Sequence, residues 1–145
     1  MHHLEREACY PRGLEEVFGF FADAGNLEAI TPPWLRFRIL TPLPIEMRVG
    51  ALIDYRLSLH GVPIRWRTEI TSWEPPHRFV DEQRRGPYRF WRHEHAFEAE
   101  AGVVRVRDRV QYAHLGGPLL QALLIEPDLR RIFDYRMEVI ASRLG

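Results

Sequence analysis

The chain has 145 residues, of which 46% are hydrophobic and 28% charged, and its 20 basic side chains, all arginine, balance 20 acidic ones. This length fits one domain, residues 1–145, with a continuous core, and the composition excludes general disorder. The balanced charge leaves no net field to attract nucleic acid or an anionic membrane.

The N-terminal segment predicts one strand followed by two short helices. Residues 3–10 alternate in hydrophobicity as a strand does, and Gly13 lies just beyond. A single apolar stripe at helical spacing then predicts a helix from residue 14: Leu14, Val17, Phe18, Phe21 and Ala22. We expect Gly25 to end this helix, Asn26 to cap a short second one and Pro32 to end that.

The middle of the chain predicts an antiparallel meander. From residue 36 the hydrophobic period changes to two, and turn signals rich in glycine and proline recur. The runs between these signals predict six strands: 36–41, 51–60, 64–73, 78–84, 89–99 and 103–114. Serial strands joined by short turns pair antiparallel with their neighbours.

The C-terminal segment predicts a long amphipathic helix that opens at Gly116 and carries one apolar stripe: Leu129, Ile132, Phe133, Met137, Ile140 and Leu144. Pro127 should break or kink it and leave "PLLQALLI" (118–125) as a separate apolar turn or two. A curled sheet needs cover on its concave face, and this helix is the one element left to supply it. We therefore predict an α+β fold, a seven-stranded curved antiparallel sheet wrapped around the C-terminal helix.

The side chains that alternation sends to the concave face combine aromatic and polar groups: Tyr55, Trp66, Phe79, Asp81, Gln83, Trp91, His93, His95, Phe97, Asp108 and Tyr112. A buried polar group without a partner costs about 1–3 kcal/mol. These groups must therefore satisfy one another in a dry network or line a cavity that holds water or a ligand.

Three functions suit this face. His93 and His95 have the spacing of two zinc ligands, with Asp81 or Asp108 as a third, but no cysteine or further histidine joins them, so we predict no metal and no cofactor. His93, His95 and Asp108 are candidate catalytic groups, since a carboxylate beside an imidazole makes an acid–base pair. The alternative without catalysis is that Asp108 and one histidine only satisfy each other's hydrogen-bonding groups.

Ligand binding is the function that we favour. The aromatic residues would form the walls, although some of them must simply pack the core, while His93, His95, Asp108 and Gln83 would orient a polar group. Arg136, one turn beyond Ile132 on the C-terminal helix, would enter the same space or reach out to solvent.

The opposite face of the sheet is charged. Arg105, Arg107 and Arg109 alternate along the last strand, which would lie between strands carrying Glu5 and Glu7 and Glu94, Glu98 and Glu100. We expect ion pairs across the strands and no nucleic-acid partner.

The sequence also allows expectations about cellular location and oligomeric state. Cys9 is the single cysteine and excludes an internal disulfide, and no N-terminal leader pattern is present, so we expect a cytoplasmic protein. The apolar run at 119–125 is far shorter than the ~20 residues of a membrane span, which argues against stable insertion. "PLLQALLI" could form a cavity lid, a dimer contact or a membrane-surface contact, and we expect a monomer or a homodimer.

The sequence also resembles the START-like, birch-pollen-allergen-like superfamily, in its bacterial polyketide cyclase/dehydrase-like, ligand-binding branch. The matching segments are "VFGFFADAGNLEAITPPWLRFRI" (17–39), "ITSWEPPHRFVDEQRRGPYRFWRHEHAFE" (70–98), "RVRDRVQY" (105–112) and "FDYR" (133–136). The resemblance implies a helix-grip fold whose cavity binds a lipid, a polyketide or a quinone-like compound. It also implies the alternative of a cofactor-independent cyclase or dehydratase, and it transfers no catalytic residue.

Overall fold

The computed structural model describes residues 1–145. Its elements are β1 His2–Tyr10, α1 Leu14–Ala22, α2 Leu27–Ile30, β2 Arg38–Ile39, β3 Leu52–Leu59, β4 Val62–Glu74, β5 Arg78–Arg85, β6 Phe90–Glu100, β7 Val103–Ala113, α3 Gly117–Leu120 and α4 Glu126–Leu144. The strands form one antiparallel sheet in the order β1-β7-β6-β5-β4-β3-β2. The predicted fold class is confirmed, with two short helices between β1 and β2.

The predicted ion pairs cover the outer face where β1 and β6 flank β7. Arg105 lies 2.7 Å from Glu7 and 3.0 Å from Glu100, and Arg109 lies 3.6 Å from Glu5. The register explains this, since Glu7 faces Arg107 and Glu5 faces Arg109 across the β1–β7 pair. The arginine series is therefore matched by carboxylates on both neighbouring strands.

The C-terminal helix differs from the prediction at Pro127. The chain stays helical from α3 into α4 through a π-helical turn at Gln121–Ile125, in which the Glu126 amide donates to the Gln121 carbonyl. Proline lacks an amide donor and crowds the preceding turn, and the wider π turn accommodates both effects without a break. "PLLQALLI" is therefore not a separate piece, and it leaves Leu119 and Leu123 about 70% exposed.

One expectation in the first half of the chain was wrong, and one strand departs from regular alternation. The Asn26 side chain does not cap α2; it donates to the Phe20 carbonyl at the end of α1. A register shift between Ile70 and Ser72 inverts the alternation of β4, so that Trp73 packs inward against Phe79. The bulge thus adds an aromatic ring to the core that strict alternation would place outside.

The core consists of two apolar clusters. One lies at the α1 end of the sheet and includes Phe18 and Phe97, and the other includes Trp66 and Trp91. None of the helices combines the length and apolar character that a membrane crossing requires.

Candidate functional site

A cavity of about 190 Å³ lies between the concave face of the sheet and the helices. Of its 28 lining residues 20 are hydrophobic, so its interior favours an apolar molecule. Asp23, directly after α1, is the one exposed residue in this lining. The helices α1, α2 and α4 and the strands β3 to β6 contribute to the cavity wall.

Seven of the eleven sequence-predicted binding residues line this cavity: Tyr55, Trp66, Phe79, Trp91, His93, His95 and Arg136. The other four do not. Phe97 packs edge-on against Phe18 and Phe21 in the apolar cluster at the α1 end of the sheet. Tyr112 is buried and its hydroxyl accepts a hydrogen bond from Gln121 at 2.7 Å.

Gln83 and Asp108 lie outside the cavity wall for different reasons. The Gln83 side chain accepts from the Tyr88 amide and donates to the Tyr88 carbonyl, so it holds the β5–β6 turn closed. Asp108 lies behind the histidines, 7% exposed, where it contacts their rings from β7. Asp108 can therefore act on a ligand only through its neighbours.

Five polar side chains form a continuous network beneath the cavity, and we call them the polar belt: Asp81, His93, His95, Asp108 and Arg136. His95 Nε2 lies 2.7 Å from Asp81 Oδ2, and His93 Nε2 lies 2.7 Å from Asp108 Oδ1. The same Asp108 oxygen lies 3.5 Å from both His95 Nδ1 and Arg136 Nη2. Adjacent strands create this arrangement, since His95 pairs with Asp108 across β6–β7 and His93 with Asp81 across β5–β6.

Both carboxylates of the belt are ionised at neutral pH. Burial alone would raise the pKa of Asp108, but the Arg136 charge and the hydrogen bond from His93 hold it well below its usual range. Burial opposes ionisation of Asp81 as well, and the hydrogen bond from His95 still lowers its pKa. An ionised carboxylate only accepts hydrogen bonds, so both imidazole Nε2 atoms donate.

The polarity of the His95 ring is therefore fixed. Burial, together with the neighbouring His93, lowers the pKa of His95 to about 4, so its ring is neutral at pH 7. His95 Nδ1 is then a buried acceptor without a partner. His93 Nδ1 has no protein partner either but is not completely buried, and it faces the cavity that His93 lines.

The belt does not suit a metal ion as it is arranged. The ligand-capable atoms of Asp81, His93 and His95 lie within 4.8 Å of one another. The two imidazoles, however, stack with centroids 3.7 Å apart and planes 24° apart. Ring nitrogens bind metals in the plane of the ring, so nearly parallel stacked rings do not converge on one ion.

The cavity also contains polar residues that sequence reasoning missed or undervalued. Thr68 Oγ1 accepts a hydrogen bond from Trp66 Nε1 at 3.0 Å and lies 3.2 Å from the Tyr55 hydroxyl. Tyr88 enters from the β5–β6 turn and packs against Trp66 and Trp91. Asp81 was on the predicted concave face, and Thr68 has the same parity as Trp66, but no sequence signal brings a turn residue such as Tyr88 back over the sheet.

Several solved structures share this fold. A protein from Thermus thermophilus is 16% identical with a TM-score of 0.76, and the match covers 99% of this chain and 97% of that chain. A Mycobacterium smegmatis protein is 18% identical with a TM-score of 0.72, covering 98% of this chain and 90% of that chain. The major latex-like protein 151 of Panax ginseng is 11% identical with a TM-score of 0.71, covering 99% and 97%. At these identities the similarity shows the fold alone.

The family resemblance expected from the sequence is also confirmed. No protein with curated annotation matches the chain. The profile of one family, described as "Polyketide cyclase / dehydrase and lipid transport", matches residues 11–137. Because that match spans most of the sequence, the chain belongs to the polyketide cyclase/dehydrase and lipid transport family.

Proposed function

We propose that this protein binds a small hydrophobic or amphipathic molecule in the cavity between the sheet and α4. The observation that carries the proposal is the composition of the cavity wall, which is largely apolar and aromatic except where the polar belt reaches it. The apolar part of the ligand would lie against Trp66, Trp91 and Phe79, and its polar part would contact His93 and Asp81. The family and fold match support this function, since the family description includes lipid transport.

A polarity-sensitive neutral probe tests the proposal directly. N-phenyl-naphthylamine should bind the wild-type protein saturably, with increased fluorescence. Leu57→Phe adds volume to the cavity wall and should weaken binding by about tenfold, the cost of about 1.4 kcal/mol of overpacking. Leu119→Phe makes the same change at a residue 71% exposed and should bind as wild type. Native mass spectrometry of the purified protein should also detect retained small molecules.

Absence of saturable binding, or equal weakening by both substitutions, would contradict the proposal. The first result would mean that the cavity is not accessible to ligands. The second would mean that the probe binds the apolar surface of α3 or responds to general destabilisation. Thermal unfolding of each variant separates destabilisation from loss of binding.

A second candidate function is general acid–base catalysis, and the accessible Nδ1 of His93 favours it. Asp108 orients the His93 ring through Nε2, which leaves Nδ1 without a protein partner and available as a base when the ring is neutral. This nitrogen could take the proton next to a ligand carbonyl. The electron pair would form the enolate double bond, and the negative charge would move to the carbonyl oxygen.

Hydrogen–deuterium exchange tests this chemistry without knowledge of the substrate. The methyl protons of acetonaphthone should exchange in deuterated buffer faster with the wild-type protein than without it. His93→Gln should slow this exchange by roughly 10²-fold or more, the usual contribution of a general base. His3→Gln alters an exposed histidine and should have no effect. Equal exchange with and without protein would exclude this function for such ketones.

A further inference from the structure

The charges of the carboxylates and the arginine of the polar belt do not cancel. Two ionised carboxylates, Asp81 and Asp108, face one guanidinium, Arg136, so these three groups carry one excess negative charge. Arg136 lies beside Asp108. The excess charge therefore lies at Asp81, whose one protein partner is the neutral His95 ring.

The atoms that the belt presents to the cavity are mainly acceptors. Asp81 Oδ1 has no hydrogen-bond partner and is not completely buried, and Asp81 belongs to the cavity wall. His93 Nδ1 is a second such atom, without a protein partner and not completely buried, and it accepts a hydrogen bond when the ring is neutral. A ligand group that reaches the belt between these atoms meets the free Asp81 oxygen and the His93 ring nitrogen.

Arg136 does not reverse this polarity. Its Nη2 points to Asp108, and its Nε is buried without a partner. The guanidinium also lies over the rings of Phe21 and Phe133, at 5.6 and 5.8 Å from their centroids. Nη1 is the guanidinium nitrogen that has no partner and is not completely buried, so Arg136 meets a carboxylate through one nitrogen and not through the two parallel N–H groups with which arginine binds carboxylates best.

We infer that the polar end of the ligand is a hydrogen-bond donor, an alcohol, a phenol or an amine, and that molecules ending in a carboxylate are excluded. The inference rests on the proposed binding function and specifies the ligand class for that site. A donor satisfies Asp81 Oδ1, which has no protein partner, and can also reach His93 Nδ1 when that ring is neutral. A carboxylate would instead add a second uncompensated negative charge where the dielectric is low, so it is rejected.

Four naphthalene derivatives that differ only in the polar group test the inference by isothermal titration calorimetry at neutral pH. They are naphthylmethanol, naphthylmethylamine, the methyl ether of naphthylmethanol and naphthoic acid. The alcohol and the amine should bind about tenfold or more tighter than the ether, the factor expected for a hydrogen bond to a charged acceptor. The acid should bind most weakly. Tighter binding of the amine than of the alcohol would assign the larger share to the Asp81 charge.

The possible failures are distinguishable. If the acid binds as tightly as the ether or more tightly, the inference is wrong while the binding function stands. If none of the four compounds binds, including the ether that needs no donor, the proposed function itself fails for ligands of this size. The ranking is measured on the wild-type protein, so it does not depend on the folding of any variant.

Asp81→Asn sharpens the test. The amide keeps an oxygen for the His95 donor and can turn its NH₂ group toward the cavity, so it replaces an accessible acceptor by a donor. The preference for the alcohol over the acid should fall about tenfold, with the affinity for the ether unchanged. Asp134→Asn makes the same change at a carboxylate 66% exposed on the outside of α4 and should keep the wild-type ranking. An unchanged ranking in folded Asp81→Asn would overturn the inference.

Discussion

The two faces of the central strands both pair arginine with carboxylate, but in different surroundings. On the outer face Arg105 lies 2.7 Å from Glu7, and their side chains are 31% and 47% exposed. On the inner face Arg136 lies 3.5 Å from Asp108, and their side chains are 13% and 10% exposed. The outer pair has the shorter distance, but water screens the attraction between its charges. The inner pair is buried, so its charges interact in a medium of low dielectric. Burial therefore decides which pair matters more for stability.

The two faces also differ in redundancy. Glu7 contacts Arg107 as well as Arg105, and Arg105 also contacts Glu100, so both members of the Arg105–Glu7 pair have a second partner. On the inner face one Asp108 oxygen accepts from both His93 and Arg136. Loss of that oxygen leaves two buried donors unpaired at once. Buried polar networks of this kind are seldom the most stable solution for a core, which favours a functional reason for the belt.

Substitution of Asp108 should produce the largest effect. Asp108→Asn removes the negative charge opposite Arg136 and leaves that guanidinium buried and unpaired. We expect the free energy of unfolding to fall by about 3–5 kcal/mol, the usual cost of breaking a buried ion pair on one side. Urea unfolding followed by circular dichroism measures this loss.

A double-mutant cycle sharpens the result. Adding Arg136→Met to Asp108→Asn removes the stranded charge and replaces it by an apolar side chain of similar length. We expect the double variant to be more stable than the sum of the single losses predicts, by about 1–3 kcal/mol. Strict additivity would show that the two side chains do not interact. The inner ion pair would then contribute no more to stability than the outer pair.

Acid should reveal the next largest effect, because His95 stays neutral in the folded protein. Its pKa of about 4 lies below the unfolded value of 6.5, so only the unfolded state takes up this proton between those pH values. The free energy of unfolding should fall by roughly 3 kcal/mol as the pH drops from 6.5 to 4. Below this range the lowered pKa values of Asp81 and Asp108 continue the loss in the same direction.

His95→Gln removes this titration. The variant should lose most of the decline between pH 6.5 and 4, while His3→Gln, at an exposed position, should keep it. The measurement is a series of urea unfolding curves at several pH values. An unchanged pH dependence in His95→Gln would mean that His95 is protonated in the folded protein, bridging Asp81 and Asp108.

Much of the sheet could be predicted because its alternation is regular. In β6 and β7 every second side chain faces inward, so His93, His95 and Asp108 are buried as expected. The outer ion pairs followed from the same alternation and from the neighbourhood of β1 and β7. Regular strands have a fixed side-chain period, and no tertiary detail was needed to assign these faces.

Irregular backbone limited the rest of the prediction. Gln83 has the inward parity but is captured by the backbone of the β5–β6 turn, a contact that depends on how the turn folds. The bulge in β4 and the π turn before Pro127 depend on packing that a local pattern does not contain. The exclusion of Asp108 from the cavity wall is equally non-local, because the stacked rings of His93 and His95 shield it.

The smallest effect should come from the outer face. Glu7→Gln removes a carboxylate from two arginines, but solvent hydrates the freed guanidinium groups and Arg105 keeps Glu100. The midpoint of urea unfolding should be indistinguishable from that of the wild type at physiological ionic strength, where exposed charges are strongly screened. A loss as large as that of Asp108→Asn would show that the outer network acts cooperatively. Burial would then no longer explain the difference between the faces, and the functional argument for the belt would lose its energetic support.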